Sequence, residues 1–123
     1  MYTYGTEVNK DTYGRVVKVG DLIDTYEWYS GILYVTRSLV IGTIPSSGNY
    51  RIAHLYENPE NETKLHLSWA HKNQPVLAPP IPLESTKHRW VNEYLKGDQE
   101  QMFTELLYTN LTAKELKKYK LDI

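Results

Sequence analysis

Residues 38–70, SLVIGTIPSSGNYRIAHLYENPENETKLHLSWA, contain the pattern that decides the fold. Two polar stretches, PSSGN at 45–49 and NPENE at 58–62, divide this segment into three more apolar runs. Clusters of proline, glycine, asparagine and serine of this kind favour turns. In the third run Leu65, Leu67 and Trp69 alternate with His66 and Ser68, which is the period of a half-buried strand. In the second run Tyr50, Ile52, His54 and Tyr56 share one strand face, while Arg51, Ala53 and Leu55 share the other. The segment therefore predicts an antiparallel meander of three strands, at about 38–44, 50–57 and 63–69.

Further strands are predicted upstream of the meander, at 15–19, 22–28 and 32–36. The turn residues Gly20-Asp21 and Ser30-Gly31 separate them. About six short strands joined by polar turns favour a small antiparallel barrel or a strongly bent sheet, because closure removes open edges. The segment VGDLI at 19–23 resembles the turn that opens many SH3-like barrels, which supports a domain of SH3-like size.

Residues 72–84 form a proline-rich strap that includes Pro75, Pro79, Pro80 and Pro82. Proline fixes φ and lacks a backbone donor, so this composition favours extended polyproline II. Two interpretations remain open. The strap either packs on the core of the protein or docks in an aromatic groove of a partner.

From residue 85 the apolar spacing becomes helical. Two predicted helices carry one apolar face each, and these faces are formed by Trp90, Val91, Tyr94 and Leu95 and by Met102, Phe103, Leu106 and Leu107. Asp98 is placed to cap the second helix, and Thr112 with Glu115 forms a capping box for a short third one. We therefore expect an α+β fold in a single domain, 1–123, with a β half at 1–71, the strap at 72–84 and a helical half at 85–123.

Composition excludes several classes of protein. The chain has no cysteine, so it forms neither disulfides nor thiolate metal sites. The most apolar stretch, 31–42, contains Arg37 and is too short to cross a bilayer, and no signal-peptide pattern is present. These features predict a cytoplasmic protein that does not bind membranes. Lysine and arginine total 14 against 15 aspartate and glutamate residues, and this balance disfavours nucleic-acid binding.

No phosphate loop, dinucleotide fingerprint, metalloprotease motif or nucleophile elbow occurs in the sequence. The histidines His54, His66, His71 and His88 carry the only acid–base or metal-binding chemistry that stands out. Their spacing matches no established motif, so the sequence predicts no catalytic residue, no metal and no cofactor. We expect that none of the four histidines is essential for function.

The aromatic composition is unusual, with 11 tyrosines and 3 tryptophans against 1 phenylalanine. Tyrosine combines a broad apolar ring with a hydroxyl group, so it suits half-exposed and interface positions. Two clusters are candidate partner-binding sites. Tyr26, Trp28 and Tyr29 crowd the end of a predicted strand, where at least one ring should be exposed, and Tyr2 and Tyr4 lie on one side of the N-terminal segment.

The favoured interpretation is a non-enzymatic protein-binding module with an aromatic face, such as an inhibitor or adaptor. A compact accessory protein of a virus or mobile element would have this composition. One alternative is a small barrel that binds single-stranded nucleic acid, with Tyr26, Trp28 or Tyr34 stacking on bases and Arg37, Arg51 or Lys64 contacting phosphates. The other is an enzyme or small-ligand binder that uses His54 or His66. Homo-oligomerisation is also left open.

Overall fold

A computed structural model describes residues 4–57, 63–77 and 89–118. The elements are β1 (Glu7–Lys10), β2 (Val16–Lys18), β3 (Leu22–Tyr29), β4 (Ile32–Thr43), β5 (Tyr50–Glu57), β6 (Thr63–Ala70), β7 (Val76–Leu77), α1 (Arg89–Lys96), α2 (Gln99–Asn110) and α3 (Ala113–Lys118). The main sheet has the order β6-β5-β4-β3-β7, and β1 pairs with β2 in a separate two-stranded sheet. All of these pairs are antiparallel.

This architecture confirms the α+β class, with antiparallel sheet first and three helices at the C-terminal end. The described strand pairs leave β6 at one edge of the main sheet and β7 at the other. Since no described pair joins these two edges, closure into a barrel is not confirmed.

The predicted meander is confirmed as β4, β5 and β6, with the turn at 45–49 between the first two. One prediction was wrong in detail. The segments 32–36 and 38–44 are not separate strands but parts of the single strand β4, Ile32–Thr43. Arg37 does not interrupt this strand, because its side chain pairs with Asp24 on the neighbouring strand. The sequence analysis also missed β1 and β7.

The helices begin where the capping signals place them. The Asp98 carboxylate accepts a hydrogen bond from the Gln101 amide at 3.1 Å, at the start of α2. At α3 the Glu115 amide donates to Thr112 Oγ1 at 3.1 Å, and the Glu115 carboxylate accepts from the Thr112 amide at 3.2 Å. This reciprocal pair is the predicted capping box.

Helices cover one face of the main sheet. Phe103, Leu106 and Leu107 of α2 and Val91 and Tyr94 of α1 are buried in one apolar cluster. The sheet contributes to that cluster Leu22, Leu39, Ile41, Ala53 and Leu65. The apolar faces predicted for the two helices thus pack on the strand half, and the partly buried Leu95 packs against the same cluster. The side chain of Trp90 lies outside the described part.

The opposite face of the main sheet is covered by β1 and β2. A second apolar cluster there joins Val17 of β2 to residues of the main sheet, namely Ile23, Val40, Tyr50, Ile52 and Ala70. The inner part of β5 lies between the two clusters. Both of its faces are buried, since Ala53 lies in the first cluster and Ile52 in the second.

Several predicted features fall on residues that the structure does not describe. These are the loop at 58–62, Tyr2, His88 and the part of the proline-rich strap from 78 onward. In the described part of the strap, Pro75 is buried and Val76–Leu77 forms β7 at the edge of β3. None of the described helices is long and apolar enough to span a membrane.

Candidate protein-binding surface

The hairpin of β3 and β4 extends beyond its neighbours in the sheet. Its two strands pair along their whole length, from Leu22 opposite Leu39 to Tyr29 opposite Ile32. The partner strands stop earlier, because β5 pairs with β4 only from Ser38 onward and β7 pairs with β3 only at Ile23 and Asp24. Within the described residues, the segment 25–36 therefore pairs only with itself. We call this segment the hairpin tip. It reaches about 17 Å past Asp24, at roughly 3.3 Å per residue.

A two-residue turn closes the hairpin tip. Ser30 and Gly31 both have positive φ, 51° and 77°. This is the sign pattern of the type I′ turn, whose twist matches that of the flanking strands. The local sequence therefore directs the chain into a narrow ribbon at this point.

More than half of the exposed large apolar side chains in the described part lie on the hairpin tip. They are Tyr26 (46% exposed), Trp28 (71%), Tyr29 (65%), Ile32 (56%), Leu33 (43%) and Tyr34 (51%). Scattered single apolar side chains are normal on a protein surface, but a cluster of this kind is not.

The exposed side chains occupy both faces of the ribbon. Strand alternation and the cross-strand pairs place Tyr26, Trp28 and Leu33 on the face that continues the helix-covered side of the sheet. Tyr29, Ile32 and Tyr34 lie on the opposite face. There the rings of Tyr29 and Tyr34 meet nearly edge to face, with centroids 6.2 Å apart and planes at 80°. Edge-to-face pairs of this geometry are attractive and hold the rings in place.

A buried ion pair lies at the base of the hairpin tip. Arg37 Nε and Nη2 donate to the two carboxylate oxygens of Asp24 at 2.8 and 2.9 Å. The side chains are only 8% and 2% exposed. Among the described residues, Arg37 Nη1 has no acceptor within hydrogen-bonding distance. Because Arg37 is buried and engaged by Asp24, it is not available for the phosphate contact considered in the nucleic-acid alternative.

The hairpin tip is almost free of charge. Glu27 is the only charged residue in 25–36, whereas 24% of the whole chain is charged. Depletion of charge together with enrichment in tyrosine and tryptophan is typical of the centre of protein–protein interfaces.

The structure brings together three of the five residues that the sequence singled out for partner binding. Tyr26, Trp28 and Tyr29 are all exposed on the hairpin tip, which confirms the expectation that at least one of these rings would be exposed. Ile32, Leu33 and Tyr34 belong to the same surface, although the sequence analysis did not assign them to it. The signal that could have found them is the low charge of 25–36 around a type I′ turn sequence.

Tyr4 lies elsewhere, packed with the core. Its ring centroid is 5.8 Å from that of Phe103. Burial is the main cause that raises the pKa of the Tyr4 hydroxyl, and Asp21 adds to it. Tyr4 is also so close to Gly20 that a side chain there would collide with it. The tyrosine therefore has an evident packing role, apart from the hairpin tip.

Three of the four histidines lie in the described part. The Nδ1 atom of His54 is 2.9 Å from Ser38 Oγ, and His54 lies directly opposite His66 on the neighbouring strand. Burial, followed by the charge of His66, lowers the pKa of His54. His71 lies beyond the end of β6, and its Nδ1 accepts from the Asn73 amide at 3.3 Å. In the described part of the chain, no group of three or more histidine, aspartate or glutamate side chains could hold a metal ion.

Comparison with protein-family models, with curated proteins and with solved structures finds no match to this chain.

Proposed function

We propose that this protein is a non-enzymatic binding module that presents the hairpin tip to a protein partner, in the manner of an inhibitor or adaptor. The observation that carries the proposal is the ribbon at 25–36, which exposes aromatic and aliphatic side chains on both faces and carries one charge.

The size of the exposed surface supports this function. With 150–250 Å² for a whole aromatic side chain, the exposed fractions amount to on the order of 600 Å². This area is divided between the two faces of the ribbon, so each face carries roughly 300 Å², the lower end of the range for the largest apolar patch on a typical monomer. A specific complex buries about 800 Å² on each partner. A partner that contacts both faces of the hairpin tip would thus obtain most of a standard interface from it.

The framework of the hairpin tip supports the same conclusion. A binding residue contributes most when little conformational freedom is lost on association. Here the turn at Ser30-Gly31, the Tyr29–Tyr34 ring contact and the Asp24–Arg37 pair hold the ribbon before any partner arrives. Tyrosine and tryptophan in such settings are the commonest interface hot spots.

The experiment is affinity purification from the native cell at moderate salt, followed by mass spectrometry, with and without nuclease. The wild-type protein is compared with a Trp28→Ala/Tyr29→Ala variant. Matched controls are Trp69→Ala and Tyr13→Ala, which remove exposed aromatic rings outside the hairpin tip. We expect one protein at fixed stoichiometry with the wild type and both controls, resistant to nuclease and lost with the double variant.

The partner identified in this way is then titrated against purified protein. Trp28→Ala or Tyr29→Ala should each raise the dissociation constant at least about tenfold, which corresponds to roughly 1.4 kcal/mol. Loss of all partners after nuclease would instead favour nucleic-acid binding by the exposed rings. Equal binding by the wild type and both single variants would contradict the proposal.

A further inference from the structure

The outer edge of β3 is open along the hairpin tip. Strand β7 covers this edge only at Ile23 and Asp24. The chain departs from the edge at Pro75, whose carbonyl accepts from the Thr12 amide at 3.1 Å. In the part of the chain that the structure describes, no strand pairs with the outer edge of residues 25–29.

The backbone groups on this open edge can be identified. The Leu77 amide donates to the Asp11 carboxylate at 2.9 Å, so it does not bond to Ile23 opposite. Antiparallel pairs alternate between bonded and non-bonded, and it follows that the bonded β3–β7 pair is Asp24 with Val76. The N–H and C=O groups of Asp24 therefore point outward. By the two-residue period of a strand, those of Tyr26 and Trp28 do the same.

The turn supports the same assignment independently. In a hairpin with a two-residue loop, the two residues that flank the loop form backbone hydrogen bonds with each other. Here these residues are Tyr29 and Ile32. The backbone groups of Tyr29 and Glu27 accordingly point toward β4. Tyr26 and Trp28 are left with outward groups that an incoming strand could pair with.

Charge decides which kind of strand fits this edge. Glu27 lies between Tyr26 and Trp28 and is the only charged residue of the hairpin tip. If two copies of the chain paired antiparallel about Glu27, the two carboxylates would face each other. Like charges directly opposite destabilise a strand pair, and charged residues on open edges are a common means of preventing self-association. A strand with a basic residue opposite Glu27 meets no such penalty.

We propose that the open edge of β3 accepts an extended strand of a protein partner, paired antiparallel, with a lysine or arginine opposite Glu27 and apolar side chains around it. This inference rests on the proposed function and specifies its binding mode. Strand addition supplies main-chain hydrogen bonds for affinity and alternate side chains for specificity. It also accounts for apolar side chains on both faces of the ribbon, because an added strand contributes side chains to both faces at once.

The edge is tested with the chain itself as the incoming strand. A Glu27→Lys variant is mixed with the wild-type protein, and association is followed by sedimentation velocity and by amide chemical shifts of the labelled wild type. We expect each protein alone to be monomeric. The mixture should form a 1:1 complex with a dissociation constant at least tenfold below that of either self-association. Its formation should weaken as salt rises from about 50 to 500 mM, because salt screens exposed charges.

A proline scan distinguishes edge pairing from contact through the faces. Trp28→Pro removes an outward N–H without removing a β3–β4 hydrogen bond, since residue 28 lies in a non-bonded pair with Leu33. Trp28→Ala is the matched control, because it also lacks the indole ring but keeps the N–H. Each substitution at residue 28 is made in the protein that keeps Glu27. The Trp28→Pro protein should bind the Glu27→Lys variant at least tenfold more weakly than the Trp28→Ala protein does. Tyr26→Pro with Tyr26→Ala is the second pair if Trp28→Pro fails to fold.

The outcomes separate the binding mode from the function. A mixture that stays monomeric at millimolar concentration would overturn the edge proposal, as would equal binding by the proline and alanine variants. If partner binding still depends on Trp28 and Tyr29 in that case, the proposed function stands without strand addition. The converse result is also possible to distinguish. If the wild type binds the Glu27→Lys variant but no cellular partner depends on the hairpin tip, strand addition at the β3 edge is confirmed and the proposed protein-binding function is contradicted.

Discussion

Asp24 of β3 and Arg37 of β4 lie directly opposite each other and form two hydrogen bonds, at 2.8 and 2.9 Å. The pair lies between the apolar core and the hairpin tip. Below this pair, Leu22 and Leu39 are buried under the helices. Above it, Tyr26 and Trp28 are exposed. The ion pair thus marks the level at which the sheet passes from core to candidate binding surface.

Removal of one residue of this ion pair should lower the free energy of unfolding. Arg37→Ala leaves the Asp24 carboxylate buried without its cation, for which a loss of about 3–5 kcal/mol in the free energy of unfolding is expected. An Asp24→Leu/Arg37→Leu double variant should lose much less, because it leaves no uncompensated charge. Urea denaturation of the three proteins measures both values. Equal losses in the single and double variants would show that packing, and not charge, determines the effect.

Residues of the core and of the hairpin tip should respond differently to truncation. Phe103 is 1% exposed, so Phe103→Ala should lower the free energy of unfolding by roughly 3–5 kcal/mol. Trp28→Ala removes a ring that is 71% exposed, and we expect a much smaller loss. The comparison is made by urea denaturation at one pH. A loss below about 1 kcal/mol for Phe103→Ala would mean that the helices do not depend on the sheet.

Gly20 and Gly31 both have positive φ but differ in their surroundings. An added Cβ at Gly20, with φ of 99°, would collide with the Tyr4 ring, whereas nothing lies within 4 Å at Gly31. Gly31→Ala should therefore cost only backbone strain, about 1–2 kcal/mol. Gly20→Ala should cost clearly more, because the Tyr4 ring, which packs against Phe103, must also shift. Thermal or urea unfolding of the two variants tests this order, and equal losses would contradict the packing role of Tyr4.

Stability should decrease on mild acidification through His54. Its folded-state pKa is lowered from 6.5 by burial and by His66, so the unfolded chain takes up a proton before the folded protein does. Stability rises with pH wherever the unfolded state binds more protons. The His54 contribution is therefore complete above about pH 6.5 and is lost progressively as the pH falls below that value. Urea denaturation between pH 5 and 7.5 should show a shallower decline for His54→Asn than for the wild type. Parallel profiles would contradict this.

The turn residue Ser30 offers a stabilising change. It is the only non-glycine residue with positive φ in the described part, at 51°. Asparagine tolerates this conformation better than serine, and Asn-Gly is a preferred type I′ pair. Ser30→Asn should raise the free energy of unfolding by about 0.5–1 kcal/mol, within the usual range for such improvements. A decrease would indicate that the Ser30 side chain has a role beyond the turn.

Much of the fold could be predicted because its signals are local. The caps at Asp98 and Thr112, the turn at 45–49 and the spacing of the α2 face each depend on neighbours within one or two turns of the chain. Predictions that required distant contacts did less well. The cover for the second face of the sheet comes from β1 and β2, which lie more than 30 residues from β5 in the sequence. Likewise, nothing near Arg37 in the sequence indicates its ion pair, because its partner Asp24 is separated from it by a hairpin.

The candidate surface could be predicted only in part, because some of its features depend on local sequence and others on distant contacts. Sequence alone determined that aromatic residues cluster at 26–29, that Glu27 is the only charge in 25–36 and that Ser30-Gly31 forms a tight turn. A two-residue turn also sets which residues of β3 and β4 face each other. Only the tertiary structure decided that the β3–β4 hairpin extends beyond the ends of β5 and β7 in the sheet. Exposure of Trp28 or of the β3 edge depends on where those neighbouring strands end, and that depends on packing between distant parts of the chain.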